Sequence, residues 1–267
     1  MLLKYCSSKK IHHLLRTIPL AITVLHLINP FNEIIRHLLA TILNLSHLTD
    51  VQFQQSTLDV ADGGLGLGDF EFTSHAAFAA SFIAAFSSIE EKIGGIKAIL
   101  AGPNQPQHIQ AYAEAINFIR HEEYNALTIL ALADSKSEKL QKLFTSPFKK
   151  LLRQDFMHSI EQSAISTARV LSCATPESGA FLLTIPKTPK MSTTPIIFQT
   201  MISRRLGCEL PQLRPIQCIC SGHPRIDLLG THLIACKHGG QRHQTHDFMV
   251  HEMNSCVKAC GLYSKTE

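Results

Sequence analysis

Four potential metal ligands near the C-terminal end constrain the fold of this 267-residue chain more than any other feature. Cys218 and Cys220 are separated by one residue, and after eleven further residues His232 and Cys236 lie four positions apart. Zinc in structural sites is bound by four Cys or His side chains at the corners of a tetrahedron. We therefore predict that these residues form a small zinc knuckle, although the first gap is tighter than is usual for such sites.

The sequence leaves the histidine ligand of this site open. His223, His238 and His243 lie close enough along the chain to replace His232. A second interpretation is that Cys236 is a small buried hydrophobic residue, as free cysteines often are, and that His232 caps a helix. Metal binding and simple burial make different predictions about how close the four side chains lie.

The composition indicates a folded protein of a reducing compartment. Hydrophobic residues make up 45% of the chain and charged ones 17%, which excludes an intrinsically disordered protein. The formal net charge of +4 permits contact with nucleic acid but is too small for a strongly basic binding surface. Eight cysteines in a chain of this length favour metal binding over a disulfide framework. We expect an intracellular protein, either nuclear or cytoplasmic.

An apolar stretch at residues 18–28 follows several basic residues and could pass for a signal peptide. No small-x-small cleavage site comes after it, however. Pro19 and Pro30 bracket the stretch, which is too short to span a bilayer. We predict a buried helix here and no contact with a membrane.

Apolar residues recur at helical spacing over most of the chain, and signals for strands are few. Two helices, at 11–18 and 34–43, are predicted on either side of Asn29–Pro30. A helix over 198–206 should end at Gly207, because it has a basic last turn and then the residue that commonly stops helices. Further helices are predicted at about 107–119, 121–133 and 136–172, the last of them broken near Pro147.

A glycine-rich segment at residues 59–70 invites comparison with nucleotide-binding loops. It contains neither the G-x-G-x-x-G pattern of dinucleotide sites nor the Gly-Lys-Ser/Thr of a phosphate loop. Asp62 and Asp69 would also repel a phosphate group. We predict a close-packed turn that leads into a helix, with Ser74 as the N-cap of that helix.

Several segments, taken in order, resemble the region downstream of the polymerase core in non-LTR retrotransposon reverse transcriptases. Residues 14–19, LLRTIP, resemble the family's LLRT.P helix, and 60–67, VADGGLGL, resemble its P...GGLGL loop. Residues 179–182, GAFL, are similar to its GAWL step, with Phe181 in place of the tryptophan. Residues 205–207, RLG, are similar to its RLGLP helix end.

The resemblance continues around the cysteines, with one departure. Residues 227–232, DLLGTH, are similar to the family's D..G.H, and 245–247, THD, to its RHN or RHD. Thr245 stands where the family usually has arginine, which removes a guanidinium that could reach a phosphate. Arg242–His243 is an alternative counterpart in a shifted register. We prefer His246–Asp247, because a helix of apolar spacing begins there.

The resemblance implies a fold, a cofactor and a partner. The helices would correspond to the family's thumb and linker, and the knuckle to the zinc motif before a restriction-like endonuclease. Structural zinc would be the cofactor and RNA or DNA the partner, with no small-molecule substrate. The candidate contacts to nucleic acid are Arg214, Arg225, Lys237, Arg242 and His246.

We accordingly predict a mainly α fold, in which a helical thumb- and linker-like bundle is followed by a small zinc knuckle and a terminal helix. Residues 1–175 would form the helical region and 176–213 a proline-containing connector with one helix. Residues 214–240 would form the knuckle, and 241–267 the start of a truncated endonuclease-like region. The other domains of the parent polyprotein would be missing.

The sequence lacks the motifs of polymerase and nuclease chemistry. Such phosphoryl transfer needs clustered carboxylates that hold divalent metal ions. The Phe/Tyr-x-Asp-Asp turn of a polymerase is not found, and the nuclease acids would be expected only after the THD segment, where the sequence reaches Glu267. We predict a fragment that is not an enzyme and that binds RNA or DNA in a zinc-dependent manner.

Two other classes of function are compatible with the sequence. A metal-dependent hydrolase could use His243, His246, Asp247 and His251, although the H-E-x-x-H pattern is absent. A helical protein-interaction module, stapled by the structural zinc site, would need neither catalysis nor nucleic acid. Metal-dependent turnover would identify the hydrolase, and salt-sensitive binding to nucleic acid would separate the first function from the interaction module.

Overall fold

A computed structural model describes residues 15–17, 27–95, 140–184, 192–214, 216–220, 225–236, 238, 247–251, 253–255 and 258. The helix predicted at 11–18 falls largely outside these ranges, and those predicted at 107–119 and 121–133 fall wholly outside them. The chain divides into two compact units, Met1–Gly207 and Cys208–Glu267, which are described separately. The segment boundaries predicted from the sequence stay predictions.

Helices dominate the described residues, so the predicted mainly α class is confirmed. The second unit contains α8 (Thr231–Ala235), and its one β pairing within the described ranges is an isolated antiparallel bridge between Gln217 and Arg225. No described helix combines the length and the apolar character needed to cross a bilayer. The first unit contains α1 (Asn29–Ile42), α2 (Asp50–Thr57), α3 (Phe70–Ile93), α4 (Leu140–Ile160), α5 (Ala164–Cys173), α6 (Ala180–Leu183) and α7 (Pro195–Leu206).

Local signals in the sequence locate the C-terminal ends of two helices to within one residue, whereas both helices begin earlier than predicted, at Asn29 and Pro195. The helix predicted at 34–43 is α1, and Pro30 lies in its first turn, where a missing backbone N–H costs no helical hydrogen bond. The helix predicted at 198–206 is α7, which begins slightly earlier, at Pro195. It ends at Gly207, whose φ of 67° is the left-handed conformation that closes many helices.

The predicted break near Pro147 is wrong. The α4 helix continues through residue 147, and the chain leaves it only after Ile160. Phe144 and Phe156, which precede and follow the proline along the helix, are both buried. The helix is therefore continuous and packed on both sides of the proline, although proline removes one hydrogen bond of the helix.

The glycine-rich segment forms the close-packed turn predicted for it, between α2 and α3. A Cβ on Gly64 would lie 2.2 Å from the carbonyl oxygen of Leu58, so only glycine fits there. Ser74, in contrast, is not the N-cap of the following helix. The α3 helix already begins at Phe70, and the buried hydroxyl of Ser74 donates to the carbonyl of Glu71 inside it.

A buried guanidinium ties this turn to the end of α7. Only 4% of Arg205 is exposed, and burial lowers its pKa below the ordinary value. Gln55, fully buried on α2, donates to the carbonyl of Arg205 at 2.8 Å. We call Arg205 and its partners the Arg205 network. The Arg205 side chain donates to the carbonyls of Gly64 (2.9 Å), Val60 (2.6 Å) and Ser178 (3.3 Å).

Candidate metal centre

The second unit is built on a small apolar cluster. Leu210, Leu213 and Ile226 are buried together, and the partly buried Cys218 packs against them. The backbone N–H of Leu210 donates to the carbonyl of Leu228 at 2.8 Å, which joins the segment before the first two cysteines to the segment before α8. The first cysteine is therefore held against a packed core.

Two extended segments meet beside this core. Gln217 and Arg225 form the antiparallel bridge, and directly opposed residues have their side chains on the same face. Cys218 and Cys220 are partly buried, whereas Ile219 between them is exposed, which places the two cysteines on one side and Ile219 on the other. We call the exposed side chains of Gln217, Ile219 and Arg225 the outer face.

The α8 helix supplies the second pair of potential ligands. His232 is its second residue, Cys236 directly follows its last, and the backbone N–H of Cys236 donates to the carbonyl of His232 at 2.7 Å. Residues four apart lie on one side of a helix. His232 does not cap this helix, contrary to the second interpretation of the sequence. Instead, the carboxylate of Asp227 accepts the backbone N–H groups of Thr231 (2.9 Å) and His232 (2.7 Å).

We call the four residues Cys218, Cys220, His232 and Cys236 the Cys/His cluster. Their ligand atoms all lie within 4.8 Å of one another. The Sγ atoms of Cys218 and Cys236 are 3.5 Å apart, and Sγ of Cys220 is 3.6 Å from Nε2 of His232. With zinc–ligand bonds of about 2.0–2.3 Å, neighbouring corners of a tetrahedron are about 3.5–3.8 Å apart. The four side chains are therefore close enough to hold a metal ion.

The structure describes one of the three alternative histidine ligands. His238 is described and exposed, and it is not a member of the Cys/His cluster. His223 and His243 lie outside the described residues. Among the described residues, His232 is thus the histidine whose ring nitrogen lies with the three thiols.

The thiols of the cluster differ in acidity. The backbone N–H of Cys220, followed by the side chain of His232, lowers the pKa of Cys218 to about 6. The hydrogen bond to Cys218, followed by burial, raises the pKa of Cys220 to about 11. A divalent metal binds thiolates, so its entry would displace the remaining thiol protons.

Asp227 belongs to the D..G.H segment, but the sequence analysis gave its carboxylate no role, and the structure shows that it holds the start of α8. Burial raises its pKa, but the backbone N–H groups of His232 and Thr231 outweigh that effect and hold the pKa below its ordinary value. The signal was present as Asp-Leu-Leu-Gly-Thr, in which an acidic residue precedes a glycine at a helix start.

Only two of the five predicted contacts to nucleic acid are among the described residues. Arg225 is exposed on the outer face. Arg214 is also exposed, and its guanidinium lies 3.3 Å from the carboxylate of Glu209. Lys237, Arg242 and His246 lie outside the described residues.

Only two of the four residues proposed for a metal-dependent hydrolase are among the described residues, so this function stays a prediction. Asp247 and His251 are exposed on a helical stretch, and neither belongs to the Cys/His cluster, which is the group of potential ligands found among the described residues. His243 and His246 lie outside those residues.

No protein-family model, no curated protein and no solved structure matches this chain. Its function must therefore be argued from its own residues and their geometry.

Proposed function

We propose that the Cys/His cluster holds a structural zinc ion. Three thiolate sulfurs and one imidazole nitrogen favour zinc over magnesium or calcium, which prefer oxygen ligands. Four protein ligands complete the tetrahedron and leave no position for a reacting water, so the ion would stabilise the fold and not catalyse. The observation that carries this proposal is the proximity of the four ligand atoms, all within 4.8 Å. Such a site suits a reducing intracellular compartment, nuclear or cytoplasmic.

We also propose that the chain is a non-catalytic segment of a retrotransposon reverse transcriptase. Three of the segments that resemble that family meet in the Arg205 network. Arg205 of RLG donates to Val60 and Gly64 of VADGGLGL, and to Ser178, which directly precedes GAFL. A Cβ on Gly179, the first residue of GAFL, would lie 2.1 Å from Cγ1 of Val60. One shared packing requirement for three distant segments supports treating them as a single motif.

For the activity of this segment we propose binding to RNA or DNA through the second unit. The outer face offers the guanidinium of Arg225 for a phosphate, the amide of Gln217 for a hydrogen bond, and the apolar side chain of Ile219, which is 71% exposed. Arg214 already has an acidic neighbour in Glu209. Of the two described arginines, Arg225 is therefore the stronger candidate for a contact with a phosphate of the nucleic acid.

Fluorescence anisotropy with labelled single-stranded RNA and duplex DNA, over a range of salt concentrations, tests this activity. Each phosphate contact releases counterions, so affinity should fall steeply as salt rises. Arg225→Glu should weaken binding about tenfold, in keeping with the loss of one such contact. Lys150→Glu makes the same charge reversal at an exposed residue of α4 and should leave binding unchanged. Equal affinity of wild type and Arg225→Glu would contradict the assignment.

A second candidate function, a protein-interaction module, is favoured by exposed apolar residues in the second unit. Phe248, Met249 and Met253 are 64%, 58% and 66% exposed on the helical stretch after residue 246. Binding through such side chains depends little on salt, because it removes apolar surface from water. Salt-insensitive binding of a protein partner that Phe248→Ser abolishes, together with no binding to RNA or DNA, would favour this function.

A further inference from the structure

The helix that carries half of the Cys/His cluster is too short to be stable alone. The α8 helix has five residues, and a helix of this length gains too few hydrogen bonds to offset the cost of its first turn. Its N-cap is Gly230, which has no side chain to accept the free N–H groups of the first turn. Something outside the helix must therefore hold it in place.

Asp227, which lies three residues before the N-cap, stabilises the start of α8. One carboxylate oxygen accepts the N–H of Thr231 at 2.9 Å, and the other accepts the N–H of His232 at 2.7 Å. Two bonds from one planar group to consecutive N–H groups fix the direction of the helix as well as its start. The carbonyl of Asp227 also accepts the N–H of Gly230 at 2.9 Å, which closes the turn.

The backbone on either side of Asp227 is anchored to the core of the unit. Ile226 is buried with Leu210 and Leu213, and the carbonyl of Leu228 accepts the N–H of Leu210 at 2.8 Å. The carboxylate is therefore presented from fixed backbone, and it joins the apolar cluster to the helix that bears His232.

We propose that Asp227 is the positioning residue of the metal centre. It holds the backbone of His232 directly and that of Cys236 through the single turn of α8, so that both meet the cysteines of the extended segment. This inference rests on the proposed zinc site. Groups that orient metal ligands typically contribute about 10- to 100-fold to metal affinity, and a loss of that size is expected when the Asp227 carboxylate is removed.

The test measures zinc affinity of the full chain by competition with a chelator, and the visible absorption spectrum with cobalt(II) in place of zinc. Asp227→Ala should lower zinc affinity about 10- to 100-fold and shift the cobalt bands, because His232 is no longer held in place. Asp227→Asn keeps one acceptor oxygen, so its zinc affinity should lie between those of wild type and Asp227→Ala. Glu209→Gln removes one negative charge from the same unit, and its zinc affinity and cobalt spectrum should match those of wild type. This control separates a positioning role from simple electrostatic attraction of the metal ion.

The outcomes distinguish this inference from the proposal it rests on. Wild-type affinity and an unchanged cobalt spectrum in both Asp227 variants would overturn the positioning role and leave the metal centre standing. A loss of the same size in Glu209→Gln would also overturn it, in favour of a general effect of charge. Failure of the wild-type chain to bind zinc or cobalt would overturn both.

Discussion

The two units of this protein each contain a cluster of polar groups, one completed by the protein's own backbone and one that is not. In the first, the guanidinium of Arg205 is satisfied by three backbone carbonyls, so the protein's own groups complete the site. In the second, the Cys/His cluster gathers four side chains close enough to hold a metal ion, which we propose to be zinc. Where the structure describes this unit, the apolar cluster beside it is small and consists of Leu210, Leu213 and Ile226, with the partly buried Cys218 packed against them. The first unit should therefore fold unaided, and the second should depend on its metal.

Loss of the metal should have the largest effect and should be confined to the second unit. Structural zinc in small domains contributes about 10 kcal/mol or more to folding, so Cys236→Ala should unfold residues 214–250 and leave the first unit intact. Limited proteolysis followed by mass spectrometry of the fragments measures this. Cys173→Ala, at a partly buried cysteine outside the cluster, is the control. Unchanged protection of residues 214–250 in Cys236→Ala would remove the contrast between the units.

The next largest effect should come from the first unit. Arg205→Ala leaves the buried carbonyl of Gly64 and the partly buried carbonyls of Val60 and Ser178 without their donor, and we expect a loss of about 3 kcal/mol or more in the free energy of unfolding. Urea unfolding followed by circular dichroism measures it. Arg204→Ala, at the exposed neighbour on the same helix, should change stability by less than about 0.5 kcal/mol. Equal effects of the two substitutions would show that the buried arginine is not what holds the turn.

A smaller loss should follow when the glycine turn is overpacked. Gly64→Ala places a Cβ 2.2 Å from the carbonyl oxygen of Leu58, and we expect a cost of about 3 kcal/mol. Gly68→Ala is the matched control, because its Cβ would meet no atom within 4 Å and only its φ of 83° is unfavourable, at a cost of about 1 kcal/mol. Urea unfolding of both variants measures the difference in their free energies of unfolding. If Gly68→Ala proved the more damaging, the turn would be limited by backbone conformation and not by packing.

The smallest effect should appear on acidification. Burial lowers the pKa of His75 on α3 to about 4 from its ordinary 6.5, so the folded chain binds this proton less tightly than the unfolded chain. The stability linked to His75 is complete above pH 6.5 and is lost as the pH falls from 6.5 towards 4, by about 1 kcal/mol at pH 5 once solvent screening is allowed for. Urea unfolding of wild type and His75→Gln at pH 7.5 and pH 5 measures it. Identical pH dependence of the two proteins would contradict the assignment.

Several features that depend on local patterns in the sequence were predicted correctly. Pro30 and Gly207 set helix ends through their own backbone preferences, and the spacing of the four Cys and His residues was enough to predict that they lie together. The sequence could not predict the burial of Arg205, because the carbonyls of Val60 and Gly64 that Arg205 contacts come from segments 145 and 141 residues away.

Two local predictions were wrong. Pro147 was expected to break α4, but the helix is continuous through it, with Phe144 and Phe156 buried before and after it. Ser74 was expected at a helix start on its residue type, but the helix begins at Phe70 and the hydroxyl is satisfied inside it. In both cases the residue type alone was a weak guide to a helix boundary.

The measurement that tests the central claim most directly is the zinc content of the purified chain, for wild type and for the Cys218→Ala/Cys236→Ala double variant. Our account predicts one zinc ion per wild-type chain and none in the double variant, with the helical signal of the first unit retained in both. A folded wild-type protein that contains no zinc and takes up none when it is supplied would contradict the account.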